Sequence, residues 1–270
     1  MTRRDQMIEA LGIGPQWVVR RPASKPASKN PPDLSAADGT AQSRQISPEI
    51  TPANAKVHVE QVGAGGFAEN GQHTDEAIAA MDWQTLQAAV NNCRRCSLCE
   101  TRTRTVFGTG DPKAEWLFVG EGPGRNEDRQ GEPFVGPAGK LLDNMLVAMT
   151  LRRGRNAFIA NVVKCRPADA SGKDRAPGMK EAAACKPYLS RQIALIQPSI
   201  IVALGKIAGV ALLECEPTIA VSKLRGVVHR YGELPLVVTY HPAYLLRAPV
   251  DKRKAWEDLC LAMNTHSSAT

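Results

Sequence analysis

The chain has 270 residues with a formal net charge of +7; 43% of its residues are hydrophobic and 5% are aromatic. This composition allows a buried core, argues against an aromatic-rich all-β protein, and favours a polyanionic partner, although many basic proteins bind none. No apolar run reaches the ~20 residues of a bilayer-spanning helix and the N-terminus lacks a signal-peptide core, so we expect a cytoplasmic protein without membrane contact.

The first 73 residues are expected to lie outside the folded domain. Residues 1–20 have the pattern of a short amphipathic helix. Residues 21–73 are rich in Pro, Ala and Ser, and no aromatic residue occurs between Trp17 and Phe67, so we expect a disordered linker. A helix followed by a linker suggests a tethered motif for a protein partner, and a disordered tail explains the layout equally well.

The globular pattern covers residues 74–270 and predicts a three-layer α/β/α domain. Four short β-rich apolar runs alternate with helix-like segments, and these runs are Trp116–Val119, Phe158–Val163, Ile200–Leu204 and Leu236–Tyr240. Strands that alternate with helices imply crossover connections, and hence a central four-stranded parallel sheet.

Polar and Gly/Pro-rich segments follow the predicted strands. The first strand is followed by GEGPGRNED and then GEPFVGPAG. The second strand ends in ANVVKCRP, the third ends in LGK, and the fourth ends in TYHPAYLLR. Ligands of open parallel sheets bind at the carboxyl ends of the strands. We therefore expect the functional site at this edge.

Four features in these segments are candidate ligand contacts. The turn Gly120–Gly124 can bring backbone amides to an anion, and the alternative is a simple tight turn. Phe134 can stack on a planar base or anchor its loop in the core. The amide of Asn161 both donates and accepts, which suits a base edge, while a lone Asn there often caps a turn. His241 can donate to an oxygen that gains charge, or be structural.

The segment after the fourth strand combines apolar and basic residues. Tyr244, Leu245 and Leu246 precede Arg247. An apolar tip beside an arginine is unusual for a solvated loop and suits a wedge that enters a stack of bases. These four residues are the predicted DNA contacts.

Cysteine spacing indicates a metal site. Cys93 and Cys96 form a Cys-x-x-Cys pair followed by Cys99, whereas Cys165 and Cys185 lie far along the chain. A close pair and two distant cysteines can converge on one tetrathiolate site that holds zinc or a [4Fe–4S] cluster. The spacing does not distinguish these metals, and it leaves Cys99 as a competing ligand.

Five ordered blocks resemble family 4 uracil-DNA glycosylases, the iron–sulfur branch of the uracil-DNA glycosylase superfamily. The blocks span about residues 90–262 and are NCRRCSLCETRTRTVFGTG, LFVGEGPGRNEDRQGEPFVGPAGKLLDNML, NVVKCRP, ACKPYL with QPSIIVALG, and HPAYLLR. The resemblance implies a monomeric, nucleoid-associated enzyme of base excision repair. It would flip uracil out of single- or double-stranded DNA and hydrolyse the N-glycosidic bond, leaving an abasic site.

The resemblance also implies a cofactor and a set of base contacts. Cys93, Cys96, Cys165 and Cys185 would ligate a [4Fe–4S] cluster, with Cys99 as a bystander. In the pocket, the residues implied to contact uracil are Phe134 by stacking, Asn161 at the N3–O4 edge, His241 at O2, and Gly122 and Gly124 through their backbone.

The catalytic groups depart from those of family 1 glycosylases, which have an Asp where this sequence has Gly122. Catalysis would then depend on donors such as His241 that stabilise charge on the leaving uracil, each worth ~3 kcal/mol. Glu127 resembles an acidic residue placed beside the base pocket. Glu121, Glu127 or Asp128 could stabilise a cation-like sugar or orient water, and the sequence does not rank them.

Two other functions remain compatible with the sequence. One is a glycosylase that prefers other deaminated bases. The other is a non-catalytic iron–sulfur module that binds DNA or a protein partner. Cleavage of uracil-containing oligonucleotides distinguishes the three.

Overall fold

A computed structural model describes residues 72–269. The predicted N-terminal helix over residues 1–20 lies outside the described residues, as does all but the end of the predicted linker over 21–73. None of the helices in the described part of the chain has the length and apolar character to cross a membrane.

The domain is built on one six-stranded mixed sheet. Its strands are β1 (Thr109–Gly110), β2 (Trp116–Gly120), β3 (Ala157–Asn161), β4 (Ile200–Leu204), β5 (Val228–Tyr231) and β6 (Leu234–Thr239). Their order is β1-β3-β2-β4-β6-β5, in which β3, β2, β4 and β6 run parallel and the two edge strands run antiparallel to their neighbours. The predicted α/β class and the four parallel strands are confirmed, and the sheet is larger than predicted.

The two additional strands carry no apolar run that a sequence pattern could detect. β1 has only two residues, and β5 alternates exposed and half-buried residues because it is an edge strand. Antiparallel edges are common additions to a parallel sheet.

Helices cover both faces of the sheet. They are α1 (Asp75–Ala80), α2 (Trp83–Asn91), α3 (Leu98–Thr101), α4 (Arg125–Gln130), α5 (Pro137–Ala148), α6 (Met179–Ile196), α7 (Lys206–Leu213), α8 (Val221–Leu224), α9 (Pro242–Arg247) and α10 (Lys252–Ala269), with a 3-10 turn at Pro249–Asp251. Alternate residues of β2 serve two cores: Leu117 and Val119 pack in one, and Trp116 and Phe118 in the other. The result is the predicted three-layer arrangement.

Strand register brings the functional segments to one edge. Gly120, the last residue of β2, lies opposite Asn161, the last residue of β3, and Leu204 lies opposite Thr239. Because these strands are parallel, the residues that follow each of them emerge on the same side of the sheet.

Candidate functional site

A pocket opens at the carboxyl ends of the parallel strands, where the sequence predicts the site. Its wall contains most of the predicted ligand contacts, namely Glu121, Gly122, Gly124, Glu127, Phe134, Asn161 and His241. It also contains Pro167, the last residue of the NVVKCRP block, and Asp174 and Arg175, which were not predicted because they lie in a polar loop without a recognisable motif.

Phe134 is held in an unusual backbone conformation. Its φ is +56°, in the left-handed region that non-glycine residues rarely adopt. The guanidinium of Arg153 donates to the carbonyl oxygens of Pro133 (2.7 Å) and Phe134 (2.6 Å). Gly139 lacks the Cβ that would collide with the Phe134 carbonyl. Several independent contacts therefore fix this ring, as is common for strained residues at functional sites.

Glu127 organises the loop that carries Phe134. Its carboxylate accepts hydrogen bonds from the backbone N–H groups of Val135 (3.0 Å) and Gly136 (3.3 Å), and from that of Gly124 (3.2 Å) at the start of α4. One carboxylate thus joins the glycine-rich turn to the aromatic loop. These contacts make Glu127 a positioning residue for Phe134.

His241 lies beside Phe134 and is neutral. The two rings are stacked, with 5.5 Å between centroids and 28° between planes. Nδ1 of His241 accepts from the backbone N–H of Ala243 (3.1 Å), so Nε2 of the neutral ring carries the proton. Burial lowers the pKa of His241 from 6.5 to about 4, and the charge of Arg247 acts in the same direction.

Gly205 makes room for His241. This residue follows β4 with a φ of +93°, and a Cβ there would lie 2.9 Å from the Cβ of His241. The glycine of the Leu-Gly-Lys segment therefore contributes by its missing side chain, and not by contacting a ligand.

Asn161 presents a buried acceptor with no partner. The residue is 2% exposed, and its Oδ1 accepts no hydrogen bond from any residue in the described range. A Cβ on Gly120 would collide with this Oδ1 and with the ring of Phe134, so the glycine keeps the space between them open. Buried acceptors without a donor are rare in folded proteins because each costs ~1–3 kcal/mol. A ligand donor would satisfy this one.

The remaining two candidate carboxylates differ sharply in position. Asp128 is 2% exposed and accepts from the backbone N–H groups of Thr103 (2.9 Å) and Arg104 (3.3 Å), away from the pocket wall. Glu121 lines the pocket, and no hydrogen bond to its side chain is found within residues 72–269. Burial raises the pKa of Glu121. Glu121 is therefore the pocket carboxylate that remains available for chemistry.

The turn between β2 and α4 has no room for a side chain at Gly122. A Cβ at this position would lie 2.7 Å from Cγ2 of Val163. An aspartate there, as in family 1, would require the neighbouring segment after β3 to move.

The predicted DNA-contacting segment forms α9, and one of its four residues is not at the surface. Leu245 is 1% exposed and packs in the core, which disagrees with its prediction as a DNA contact. Successive helix residues point in different directions, and Leu246 (43% exposed) and Tyr244 (36%) face outward. Arg247, the last residue of the helix, is also exposed. Of the two leucines that could form a wedge, Leu246 is the one with an exposed side chain.

The four predicted metal-binding cysteines line one pocket, which we call the thiolate cavity. Cys93, Cys96, Cys165 and Cys185 all line it, whereas Cys99 does not. Within residues 72–269, no three His, Cys, Asp or Glu side chains are close enough to hold a single metal ion. Four thiols around one cavity are the donor set of a zinc ion or of an iron–sulfur cluster.

Hydrogen-bond donors point at two of the thiol sulfurs. The guanidinium of Arg102 donates to Sγ of Cys165 (3.2 Å), and the backbone N–H of Lys164 donates to Sγ of Cys185 (3.3 Å). Burial raises the pKa of Cys165 to about 11 and that of Cys185 to about 12. Burial also lowers the pKa of Lys164 to about 8, an effect that these two cysteines oppose.

Comparison with known proteins shows one consistent similarity. The sequence model of the uracil DNA glycosylase superfamily matches residues 107–260, which include the whole pocket wall. The type-4 uracil-DNA glycosylase of Sulfurisphaera tokodaii is 43% identical over 181 residues, or 65% of this chain and 80% of that protein. Those of Archaeoglobus fulgidus (44% over 167 residues; 59% and 81%) and Pyrobaculum aerophilum (40% over 187 residues; 67% and 93%) are similar to the same degree.

Proposed function

Since this chain belongs to the type-4 uracil-DNA glycosylases of the uracil DNA glycosylase superfamily, we propose that it excises uracil from DNA by hydrolysing the N-glycosidic bond. The product is an abasic site, the entry point of base excision repair. The observation that carries the proposal is the unpartnered, buried Oδ1 of Asn161 beside the rings of Phe134 and neutral His241.

Asn161 selects the base. Uracil offers an N3–H donor and an O4 acceptor, and cytosine offers the reverse. With Oδ1 toward N3–H and Nδ2 toward O4, the Asn161 amide matches uracil alone. Cytosine in the same position would leave buried polar groups unsatisfied, at ~1–3 kcal/mol for each group.

His241 stabilises the leaving group. Cleavage of the bond between C1′ and N1 places negative charge on uracil, spread over O2 and O4. The Nε2–H of His241 donates to O2, and because the ring is neutral it needs no proton transfer to do so. Phe134 stacks on the base, and the backbone of Gly122 and Gly124 completes the contacts around it.

Glu121 serves the sugar side of the reaction. As the bond breaks, the sugar gains positive charge and water must approach C1′. A carboxylate in the pocket that is not occupied by backbone donors can stabilise that charge or orient that water. Glu127 contributes through the loop that it holds, and Asp128 has no part in the pocket.

DNA must deliver the base in an extruded form. The pocket is recessed at the sheet edge, so a stacked base cannot enter it. Leu246, exposed on α9, fills the gap left in the stack, and Arg247 and Tyr244 contact the strand. Both single- and double-stranded DNA are substrates, since a single strand merely lowers the cost of extrusion.

The four cysteines of the thiolate cavity hold a [4Fe–4S] cluster, with Cys99 as a bystander. When bound, the cluster cross-links segments near residues 93, 165 and 185. Since one chain supplies both the pocket and the cavity, the enzyme needs no second copy and acts as a monomer on nucleoid DNA.

Oligonucleotide cleavage tests the proposed function. Purified protein is incubated with matched strands that contain uracil, hypoxanthine, xanthine or cytosine, as single strands and duplexes, and abasic sites are cut with alkali. We expect breaks at uracil in both forms. Breaks confined to hypoxanthine or xanthine would instead indicate a glycosylase for other deaminated bases. Binding without breaks would indicate a non-catalytic module.

A further inference from the structure

Lys164 is a buried lysine that lines the thiolate cavity and contacts Asn161, a residue of the base pocket. The residue is 1% exposed and lines the cavity. Its Nζ donates to the backbone carbonyl oxygen of Asn161 (2.9 Å) and to Oε1 of Gln192 (2.5 Å), and its backbone N–H donates to Sγ of Cys185 (3.3 Å). One residue thus links Asn161 in the pocket wall, through its side chain, to Cys185 in the cavity wall, through its backbone.

The charge of Lys164 has no carboxylate partner. Both acceptors of its Nζ are uncharged, and within residues 72–269 no Asp or Glu forms an ion pair with it. A buried charge without a counter-charge is costly. The cavity that Lys164 lines is also lined by Cys165 and Cys185, which carry negative charge once they ligate a metal group as thiolates.

The position of the ammonium is fixed from the other side as well. Gln192 is fully buried, and its Nε2 donates to the carbonyl oxygen of Phe107 (2.9 Å). Because Gln192 is anchored in this way, its Oε1 holds Nζ of Lys164 at a defined place. The carbonyl of Asn161 at the end of β3 is then held by the same Nζ.

We propose that Lys164 is a positioning residue whose ammonium is the counter-charge of the group bound in the thiolate cavity and holds Asn161 in its base-binding position. The inference rests on the proposed function, and it links the two sites: negative charge in the cavity keeps the ammonium in place, and the ammonium keeps the end of β3 in place.

Lys164→Met tests both halves of this link, because it keeps the length of the side chain and removes the charge. The control is Lys186→Met, which removes an exposed ammonium beside Cys185 that pairs with Glu214 on the surface. Two assays compare the cluster-loaded proteins. An equilibrium redox titration, run in both the oxidising and the reducing direction, gives the midpoint potential of the cluster. Single-turnover cleavage of a uracil oligonucleotide gives the rate of base excision. In Lys164→Met we expect a lower midpoint potential, since a nearby positive charge favours the reduced cluster. We also expect at least about a tenfold loss of cleavage rate, from the lost hydrogen bond of a charged donor. The control should change neither value.

Gln192→Glu is the second variant, and it keeps the inference testable if Lys164→Met does not fold. The new carboxylate would lie against Nζ of Lys164 and leave its bond to Asn161 in place. We expect a lower midpoint potential with uracil cleavage within a few fold of wild type. An unchanged potential in both variants overturns the role in the cavity, as does wild-type protein without a cluster. An unchanged cleavage rate in Lys164→Met overturns the role at Asn161. Wild-type protein that carries the cluster but does not cut uracil refutes the proposed function separately, and the potentials still test the counter-charge.

Discussion

Replacement of Asn161 by aspartate tests the base pocket most directly. The substitution keeps the size of the side chain and exchanges the Nδ2 donor for an oxygen. Uracil O4 then loses a donor while negative charge develops on it. Loss of one such preorganised donor costs ~3 kcal/mol, or roughly a hundredfold in rate, and repulsion by an ionised carboxylate adds to that loss.

Burial gives the same variant a distinctive pH dependence. Position 161 is 2% exposed, and burial raises the pKa of a carboxyl group because it disfavours the charged form. The introduced carboxyl group, once protonated, would again combine a donor and an acceptor, as the amide does. Uracil cleavage by Asn161→Asp should therefore recover as the pH falls, and weak cytosine cleavage is expected because an acceptor oxygen faces the 4-amino group.

The assay is single-turnover cleavage of matched uracil and cytosine oligonucleotides between pH 5.5 and 8. Asn144→Asp makes the same chemical change at an exposed position of α5 and should match wild type throughout. A near-wild-type rate for Asn161→Asp on uracil at pH 8 would refute the assignment of Asn161 as the base-selecting residue. A large loss without recovery at low pH would refute the account of its protonation.

Four further predictions concern other parts of the protein. Leu246→Ala should slow cleavage of duplex uracil more than of single-stranded uracil, because only the duplex must be unstacked and unpaired, which costs a few kcal/mol. Cys165→Ala should abolish the broad absorption near ~400 nm of a [4Fe–4S] protein, and Cys99→Ala should keep it. The pKa of His241 is about 4 in the fold against 6.5 in the unfolded chain, so the unfolded chain binds the extra proton between these values. The free energy of unfolding in urea should then fall as the pH drops from 6.5 toward 4, and His241→Asn should flatten this dependence. Burial raises the pKa of Glu121, so uracil cleavage should decline as the pH falls through that pKa, and Glu121→Gln should be slow and lack the decline.

Matched controls make these results decisive. Val147→Ala removes an exposed apolar side chain from α5 and should leave the cleavage rates of duplex and single-stranded uracil unchanged. If Leu246→Ala lowers both cleavage rates equally, Leu246 is not the wedge. Glu132→Gln changes an exposed carboxylate and should keep the wild-type pH profile. Colour retained in Cys165→Ala, or an unchanged urea dependence in His241→Asn, would contradict the corresponding prediction.

The sequence was sufficient to predict the four parallel strands and the edge at which their carboxyl ends meet, because both follow from the order of apolar runs and helical segments along the chain. Short apolar runs separated by helical segments are sufficient to predict parallel strands, and parallel strands place their carboxyl ends together. Phe134, Asn161 and His241 share the pocket wall for that reason.

The missed features depend on packing between distant segments. Leu245 and Leu246 are identical in type, and only the docking of α9 decides that the first is buried. Lys164 lies in an apolar run, and a lysine is expected at the surface unless a partner is known. The positioning role of Glu127 could have been found, because Gly124 and Glu127 have the N-cap and N3 spacing of a capping box.

Asn161 and Cys165 are only four positions apart in the sequence, which constrains how this enzyme can evolve. Asn161 lies in the wall of the base pocket, Cys165 lies in the wall of the thiolate cavity, and Lys164 lies between them in the chain. A mutation that shifts this segment to admit another base also shifts a ligand and its counter-charge. Inherited variants with altered base preference should therefore be sought in Phe134, His241 or the Pro167–Arg175 loop, where a change can be selected without loss of the metal site.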